Sequence, residues 1–359
     1  MQSHENPMGT DGFEFVEYTA PNSHALGALF EQLGFSAVAR HRSKDVTLYR
    51  QDEINFIVNH EPDSFAQSFA RVHGPSVCAL GIRVRDAAGA YKRAMSLGAK
   101  AHESHVGPME LNIPAIQGIG GSLIYLIDRY GTQSIYDVDF VPLPGAFSIP
   151  NGVGLKTVDH LTHNVQAGRM DVWAEFYEKL FNFREIRYFD IKGKMTGLTS
   201  RALVSPCGKI RIPINEPSDK KSQIQEYLNA YHGEGIQHIA LSTEDIFATV
   251  EALRRKGVVF MDTPDSYYDM VDERIPNHGQ NMVRLRENRI LIDGEPLDKA
   301  GREDLLLQIF TQTVIGPIFF EIIQRRGNEG FGEGNFQALF EAIEQDQIMR
   351  GVVGGKYEG

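Results

Sequence analysis

Cysteine is almost missing from this chain. Cys78 and Cys207 are the only two, far apart and outside any CxxC pattern, which excludes a disulfide framework and a cysteine-based zinc site and fits a reducing compartment. Long apolar runs are missing too. None approaches the roughly 18 residues that span a bilayer, and the N-terminal MQSHENPMGTDG has neither the basic nor the apolar stretch of a secretion signal. Positive charge is in deficit: 36 Lys and Arg against 47 Asp and Glu leave a formal net charge of −11. That balance argues against a nucleic-acid partner, whose sites are usually basic. The chain therefore reads as cytoplasmic, with neither membrane nor nucleic acid to bind. With 42% apolar and 23% charged residues over 359 positions, the composition is globular and long enough to close a core without staples.

What is present is a domain-sized repeat. Residues 13–22, FEFVEYTAPN, resemble 155–164, LKTVDHLTHN, with Val16-Glu17-Tyr18 set against Val158-Asp159-His160. Each precedes an apolar stripe at helical spacing: Leu26, Leu29, Phe30 and Leu33, then Trp173, Phe176, Tyr177 and Leu180. Residues 78–99 match 237–258, each with an Asp suited to an N-cap (Asp86, Asp245) and a Gly suited to a C-terminal cap (Gly98, Gly257). Residues 123–131, LIYLIDRYG, match 319–327, FFEIIQRRG. The Pro- and Gly-rich stretch 141–154 reads as a linker, so the boundary is placed near 150, giving halves 1–150 and 151–359. Each half reads as strand–helix–strands twice over, an α+β class. A last helix is expected over 335–349.

The matched positions differ in chemistry. The second half has His160, His238 and Glu321 where this alignment gives the first half Tyr18, Ala79 and Tyr125. Two histidines and one carboxylate occupy one face of an octahedral ion and leave three positions open, the arrangement of iron(II) oxygenases. On strand parity, His160 shares a face with Val158 and Thr162, His238 with Ile236 and Ala240, and Glu321 with Phe319 and Ile323. A strand histidine is more often a satisfied core residue than a ligand. Glu321 is harder to explain as core, since an unpaired carboxylate buried in IGPIFFEIIQ would cost several kcal/mol. HESH (102–105) lacks the spacing of a zinc helix motif, and GIGG (118–121) reads as a hairpin turn rather than a nucleotide loop.

The segments VDHLTHNV, PINEP, GIQHIAL, LLLQIFT, FFEIIQRRG and GFGEGNFQALFEAIE together resemble the 4-hydroxyphenylpyruvate dioxygenase family of the vicinal-oxygen-chelate superfamily, over nearly the whole chain. The resemblance implies two vicinal-oxygen-chelate domains of βαβββ repeats. The first is metal-free. The second is an open half-barrel around one Fe(II), closed by the C-terminal helix. It assigns the metal to His160, His238 and Glu321. It implies polar roles for Ser200, Asn215, Gln223 and Gln308, and substrate packing or pocket closure for Pro213, Phe310, Phe331, Asn335 and Phe336. Read from the residues alone, Phe336 suits a helix core, Asn215 a turn cap, and Gln308 shares a strand face with Phe310.

The reaction so implied takes an aromatic 2-oxo acid and O2, decarboxylates the side chain, hydroxylates the ring and lets the side chain migrate to give homogentisate. A homo-oligomer is expected. Three alternatives differ in class or product. 4-Hydroxymandelate synthase uses the same substrate but hydroxylates the benzylic carbon, and carries a smaller aliphatic residue where Phe336 stands here. An extradiol dioxygenase lacks the PINEP and GFGEGNF segments. A ligand-sequestering module of the same fold would not need the His, His, Glu set.

Overall fold

The computed structural model describes all residues except 1–3, 23, 104–106, 108, 147–149, 151, 193–196, 296–302, 333, 336, 338–347, 349 and 351–359. Two mixed sheets organise it. The first holds β1 (Thr10–Thr19), β2 (Ser36–His41), β3 (Val46–Gln51), β4 (Ile54–Asn59), β5 (Ser76–Val84), β6 (Ala101–His102), β7 (Ala115–Gln117), β8 (Leu123–Ile127) and β9 (Phe140–Pro142), in the order β6-β7-β8-β5-β1-β4-β3-β2-β9. The second holds β10 (Leu155–Asn164), β11 (Arg184–Lys192), β12 (Gly197–Val204), β13 (Arg211–Pro217), β14 (Gly235–Thr243), β15 (Leu291–Glu295), β16 (Asp304–Phe310) and β17 (Phe319–Arg326), in the order β11-β12-β13-β10-β14-β17-β16-β15. Each sheet joins two βαβββ units through an antiparallel pair of their first strands, β1 with β5 and β10 with β14. The α+β class and the open half-barrel of the second sheet follow from this order.

The helix signals act where the sequence places them. Asp86 and Asp245 accept hydrogen bonds from the amides of Gly89 (3.1 Å) and Ala248 (3.0 Å), and Gly98 and Gly257 take the left-handed φ of +88° and +86° just past the helix ends. One expectation needs correction: the linker is not wholly irregular. Its first residues belong to β9, which pairs with β2 because Val141 and Pro142 extend the chain along that open edge. Of the expected final helix, Phe336 and most of 335–349 lie outside the described residues.

Alternation along the strands separates two faces in each sheet. Val16, Tyr18, Phe56, Leu80 and Ile82 from the first, and Leu161, Ile214, Ile239, Leu241 and Phe320 from the second, enter one buried cluster together with the helices. The opposite face of the first sheet carries its own apolar cluster, with Phe15, Leu48, Ile57 and Ile127. The opposite face of the second sheet carries the polar centre.

Candidate metal centre

The three ligand candidates come from three adjacent strands. His160 lies on β10, His238 on β14 and Glu321 on β17, and all three are buried. Their donor atoms form a near-equilateral triangle: His160 Nε2 to Glu321 Oε2 3.1 Å, His238 Nε2 to Glu321 Oε2 3.3 Å, and the two Nε2 atoms 3.4 Å apart. Nitrogen and oxygen ligands sit about 2.0–2.2 Å from a divalent transition metal, so neighbouring donors on one ion stand about 3 Å apart. The triangle fits one ion. Its chemistry fits as well. His160 Nδ1 lies 2.8 Å from Asp159 Oδ1 and His238 Nδ1 3.0 Å from Gln237 Oε1. Each ring therefore keeps its proton on Nδ1 and aims the Nε2 lone pair at the centre.

Burial opposes the Glu321 anion, but the two imidazoles beside it outweigh that and hold its pKa down at about 2. Burial also opposes a charged His160, yet Glu321 and Asp159 hold its pKa above the ordinary value; at His238 burial wins and the pKa falls. Asp159 is buried too, and Arg325 keeps it ionised, well below the usual carboxylate range. Two lone pairs and a carboxylate facing each other with little water call for a cation.

Two β-bulges set this arrangement, and both defeat simple alternation. Opposite Val158 and His160 stand Leu241 and Ala240, so Asp159 is an extra residue on β10. Opposite Thr162 and His163 stand His238 and Ile236, so Gln237 is an extra residue on β14. A bulge re-aims the side chains around it. Val158 and Ile236 therefore pack on the helix-covered face, a correction to the parity expected for them, whereas Thr162 does reach the centre, 3.0 Å from His238 Nε2. His163 points the other way, as expected, and shares a 2.7 Å hydrogen bond with Tyr177.

The register also corrects the repeat. Tyr18 stands opposite Val77 as His163 stands opposite Ile236, so Tyr18 is the counterpart of His163. The counterpart of His160 is Phe15, opposite Gly81 as His160 is opposite Ala240. Phe15, Ala79 and Tyr125 thus stand where the second half has its triad, and the Phe15 and Tyr125 rings meet 5.8 Å apart. The contrast between the halves survives with one residue changed.

Around the triad, Gln308 donates to Glu321 Oε1 (2.7 Å) and to the carbonyl of Phe331 (3.2 Å), and accepts from Asn335 (3.0 Å). Asn335 accepts from Tyr267 at 2.7 Å. Phe331 lies edge-on to His160 and Phe310 edge-on to His238, with centroids 5.3 and 6.4 Å apart. Ser200, Pro213 and Asn215 are buried on β12 and β13, with Ser200 paired to Asn215 and Ala202 to Pro213. Asn215 donates to Asn164 (3.2 Å) and weakly to Gln237 (3.4 Å). Among the described residues, Ser200 Oγ, Asn215 Oδ1 and Asn164 Nδ2 are buried polar atoms without a protein partner. Gln223 is buried at the start of the helix Gln223–Tyr231, and no hydrogen bond joins it to the triad among the described residues. Phe336 lies outside them. Sequence reasoning missed Asp159, Asn164, Gln237 and Arg325, and it placed Thr162 and Phe319 on the ligands' face without giving either a role. Phe319 stacks on His238 at 4.9 Å and stands opposite it in the parallel pair β14–β17; its strand parity with Glu321 was the signal available in the sequence.

A half-barrel of βαβββ units carrying two histidines and a carboxylate at its centre defines a metal-site protein of the vicinal-oxygen-chelate class. Comparison with known proteins narrows this. The model of the hydroxyphenylpyruvate dioxygenase (HPPD) N-terminal family matches residues 4–141, and that of the glyoxalase/bleomycin resistance protein/dioxygenase superfamily matches 157–270. The chain is 60% identical over 351 residues to 4-hydroxyphenylpyruvate dioxygenase of Pseudomonas aeruginosa, covering 97% of each. It is 63% identical over 353 residues to hemolysin VllY of Vibrio vulnificus, covering 97% of this chain and 98% of that one. A solved mutant of 4-hydroxymandelate synthase from Streptomyces coelicolor matches with a TM-score of 0.82 at 27% identity, covering 95% of this chain and 100% of the other. The chain belongs to the 4-hydroxyphenylpyruvate dioxygenase family.

Proposed function

We propose that the protein converts 4-hydroxyphenylpyruvate and O2 to homogentisate and CO2, a step of tyrosine catabolism, with one iron(II) per chain held by His160, His238 and Glu321 in the half 151–359, the half 1–150 being metal-free. The observation that carries this reading is the triangle of donors 3.1–3.4 Å apart on a chain of this family. When bound, the ion supplies the Lewis acidity and one-electron chemistry needed to chelate a 2-oxo acid and activate dioxygen.

The protein's own residues do the rest. Gln308 occupies Glu321 Oε1 and so presents Oε2 as a single anionic ligand. Asp159 and Gln237 hold the two imidazoles in the tautomer a metal needs. Phe310, Phe319 and Phe331 form an apolar wall at the two histidines, which suits an aromatic ring and excludes water from a reactive centre. Ser200, Asn215 and Asn164 offer one hydroxyl, one acceptor and one donor to the polar ends of the substrate; Pro213, Gln223, Asn335 and Phe336 complete the pocket by family resemblance. Cys78 and Cys207 are both free thiols, which goes with a cytoplasmic protein, and the family points to a homo-oligomer.

Chromatography of the product made aerobically from 4-hydroxyphenylpyruvate tests the reading. Homogentisate is expected; 4-hydroxymandelate as the main product would make the protein a synthase of that kind. By the family resemblance, Phe336→Val should divert part of the flux to 4-hydroxymandelate. An unchanged ratio would remove the steering role of Phe336.

A further inference from the structure

We infer that Arg325 is a positioning residue that locks the metal ligand His160 and the loop 327–332 into one mechanical unit, so that loading the metal also orders the wall that receives the substrate. This rests on the reading of the triad as metal ligands. Arg325 lies on β17 four residues beyond Glu321, and all three of its guanidinium nitrogen atoms are used. Nε and Nη2 grip Asp159 side-on, each at 2.8 Å, while Asp159 Oδ1 stands 2.8 Å from His160 Nδ1. Nη1 turns the other way and donates to the carbonyls of Asn328 (3.1 Å) and Gly330. The guanidinium carbon lies 5.8 Å from the Phe331 ring centroid, and that ring closes the circuit by lying edge-on to His160.

Five residues thus form a ring of contacts: His160, Asp159, Arg325, Gly330 and Phe331. The bulge at Asp159 is what lets a residue next to the ligand turn back and meet the guanidinium. Only a planar fork with donors on both edges can hold a carboxylate and two carbonyls together; a lysine ammonium offers one point of charge. A metal that fixes His160 fixes Asp159 and Arg325, and through them the 328–331 backbone. Gln308 ties Glu321 to the Phe331 carbonyl from the other side, so both ends of the loop's apolar residue are referred to a ligand.

The test uses the full chain and Co(II), followed by its visible absorption, with amide hydrogen exchange across 327–332 as the second readout. In wild type, Co(II) should bind and slow exchange in this loop. Arg325→Gln should weaken Co(II) binding about tenfold or more, the usual effect of losing a group that orients a ligand. Saturating Co(II) should then no longer slow exchange at 328–331, and KM for the 2-oxo acid should rise more than kcat falls. Binding and metal-dependent protection both within about twofold of wild type would overturn the inference. So would weaker binding with full protection at saturation, because Arg325 would then support the ligand without reaching the loop. Should Arg325→Gln be too unstable to purify, Asp159→Asn combined with Arg325→Gln, which leaves no lone buried charge, is read by the same criteria. Failure of wild type to take up Co(II) is a separate result, and it would sink the metal reading itself.

Discussion

Ser200 is fully buried on β12, and its hydroxyl is one of the buried polar atoms without a partner among the described residues. A buried hydroxyl left unpaired costs about 1–3 kcal/mol, a cost worth keeping only if the group serves something else. Ser200→Ala should therefore raise Tm or leave it unchanged while raising KM for the substrate. A lower Tm with unchanged KM would assign Ser200 to the core. Glu321→Ala should abolish turnover and keep a normal far-UV circular dichroism spectrum, because the space it leaves opens among the polar groups of the centre, where water can fill it. Activity at the wild-type level in that variant would falsify the ligand assignment. His163 behaves differently from its neighbour His160. Burial pushes its pKa down to about 3 from the ordinary 6.5, so the folded chain keeps it neutral while the unfolded chain takes up a proton. Its contribution to stability is complete above pH 6.5 and is lost as pH falls toward 3. His163→Gln should flatten the loss of stability between pH 6.5 and 4.5, before Asp159 and Glu321 begin to matter, as urea midpoints at several pH values would show. An unchanged pH slope would contradict this. At this scale the triad was legible because charged and imidazole groups in apolar strands are conspicuous. Asp159, Gln237 and Arg325 were not, because their roles exist only once separate strands are side by side.

Strands and turns explain both what the pattern revealed and where it misled. The N-caps Asp86 and Asp245 and the glycines after those helices act locally, within a turn, so sequence spacing sufficed to find them. The repeat offset along β5 and β14 held for the same reason: Gly81 faces Tyr125 as Ala240 faces Glu321. The first strand was misaligned by three residues, since similarity of VEY to VDH cannot reveal which residues the partner strand opposes. Bulges are the general cause. A two-residue period read through Asp159 or Gln237 puts every later side chain on the wrong face, and a bulge leaves no mark in the composition. The loop after β17 gives the test at this scale. Gly332 has a φ of +72°, and an added Cβ there would run into the Gln308 side-chain oxygen. Gly332→Ala should displace Gln308 from Glu321 and lower kcat about tenfold, a cost of about 1.4 kcal/mol in the barrier. Full activity in that variant would remove Gln308 from the machinery.

For the whole molecule, the division into 1–150 and 151–359 does not correspond to two separate cores. One buried cluster takes residues from both sheets. Phe56 and Phe320 meet at 5.9 Å across the halves, and Gln51 of the first half accepts from the amides of Val153 (2.7 Å) and Leu155 (3.2 Å). The Tyr231 carbonyl is bonded by His73 at 2.7 Å. Calorimetry of the full chain should therefore give one cooperative transition, and the fragment 151–359 alone should not fold stably, since it would expose that shared face. Two well-separated transitions would contradict a common core. At the matching centre of the first half the Phe15 and Tyr125 rings meet, and among the described residues no His, Cys, Asp and Glu group stands there that could hold an ion. The most direct test of this account is metal analysis of the purified full chain after loading with iron(II) in the absence of oxygen. One iron per chain is expected, lost when His160→Ala and His238→Ala are combined; about two per chain, or iron retained by that double variant, would contradict it.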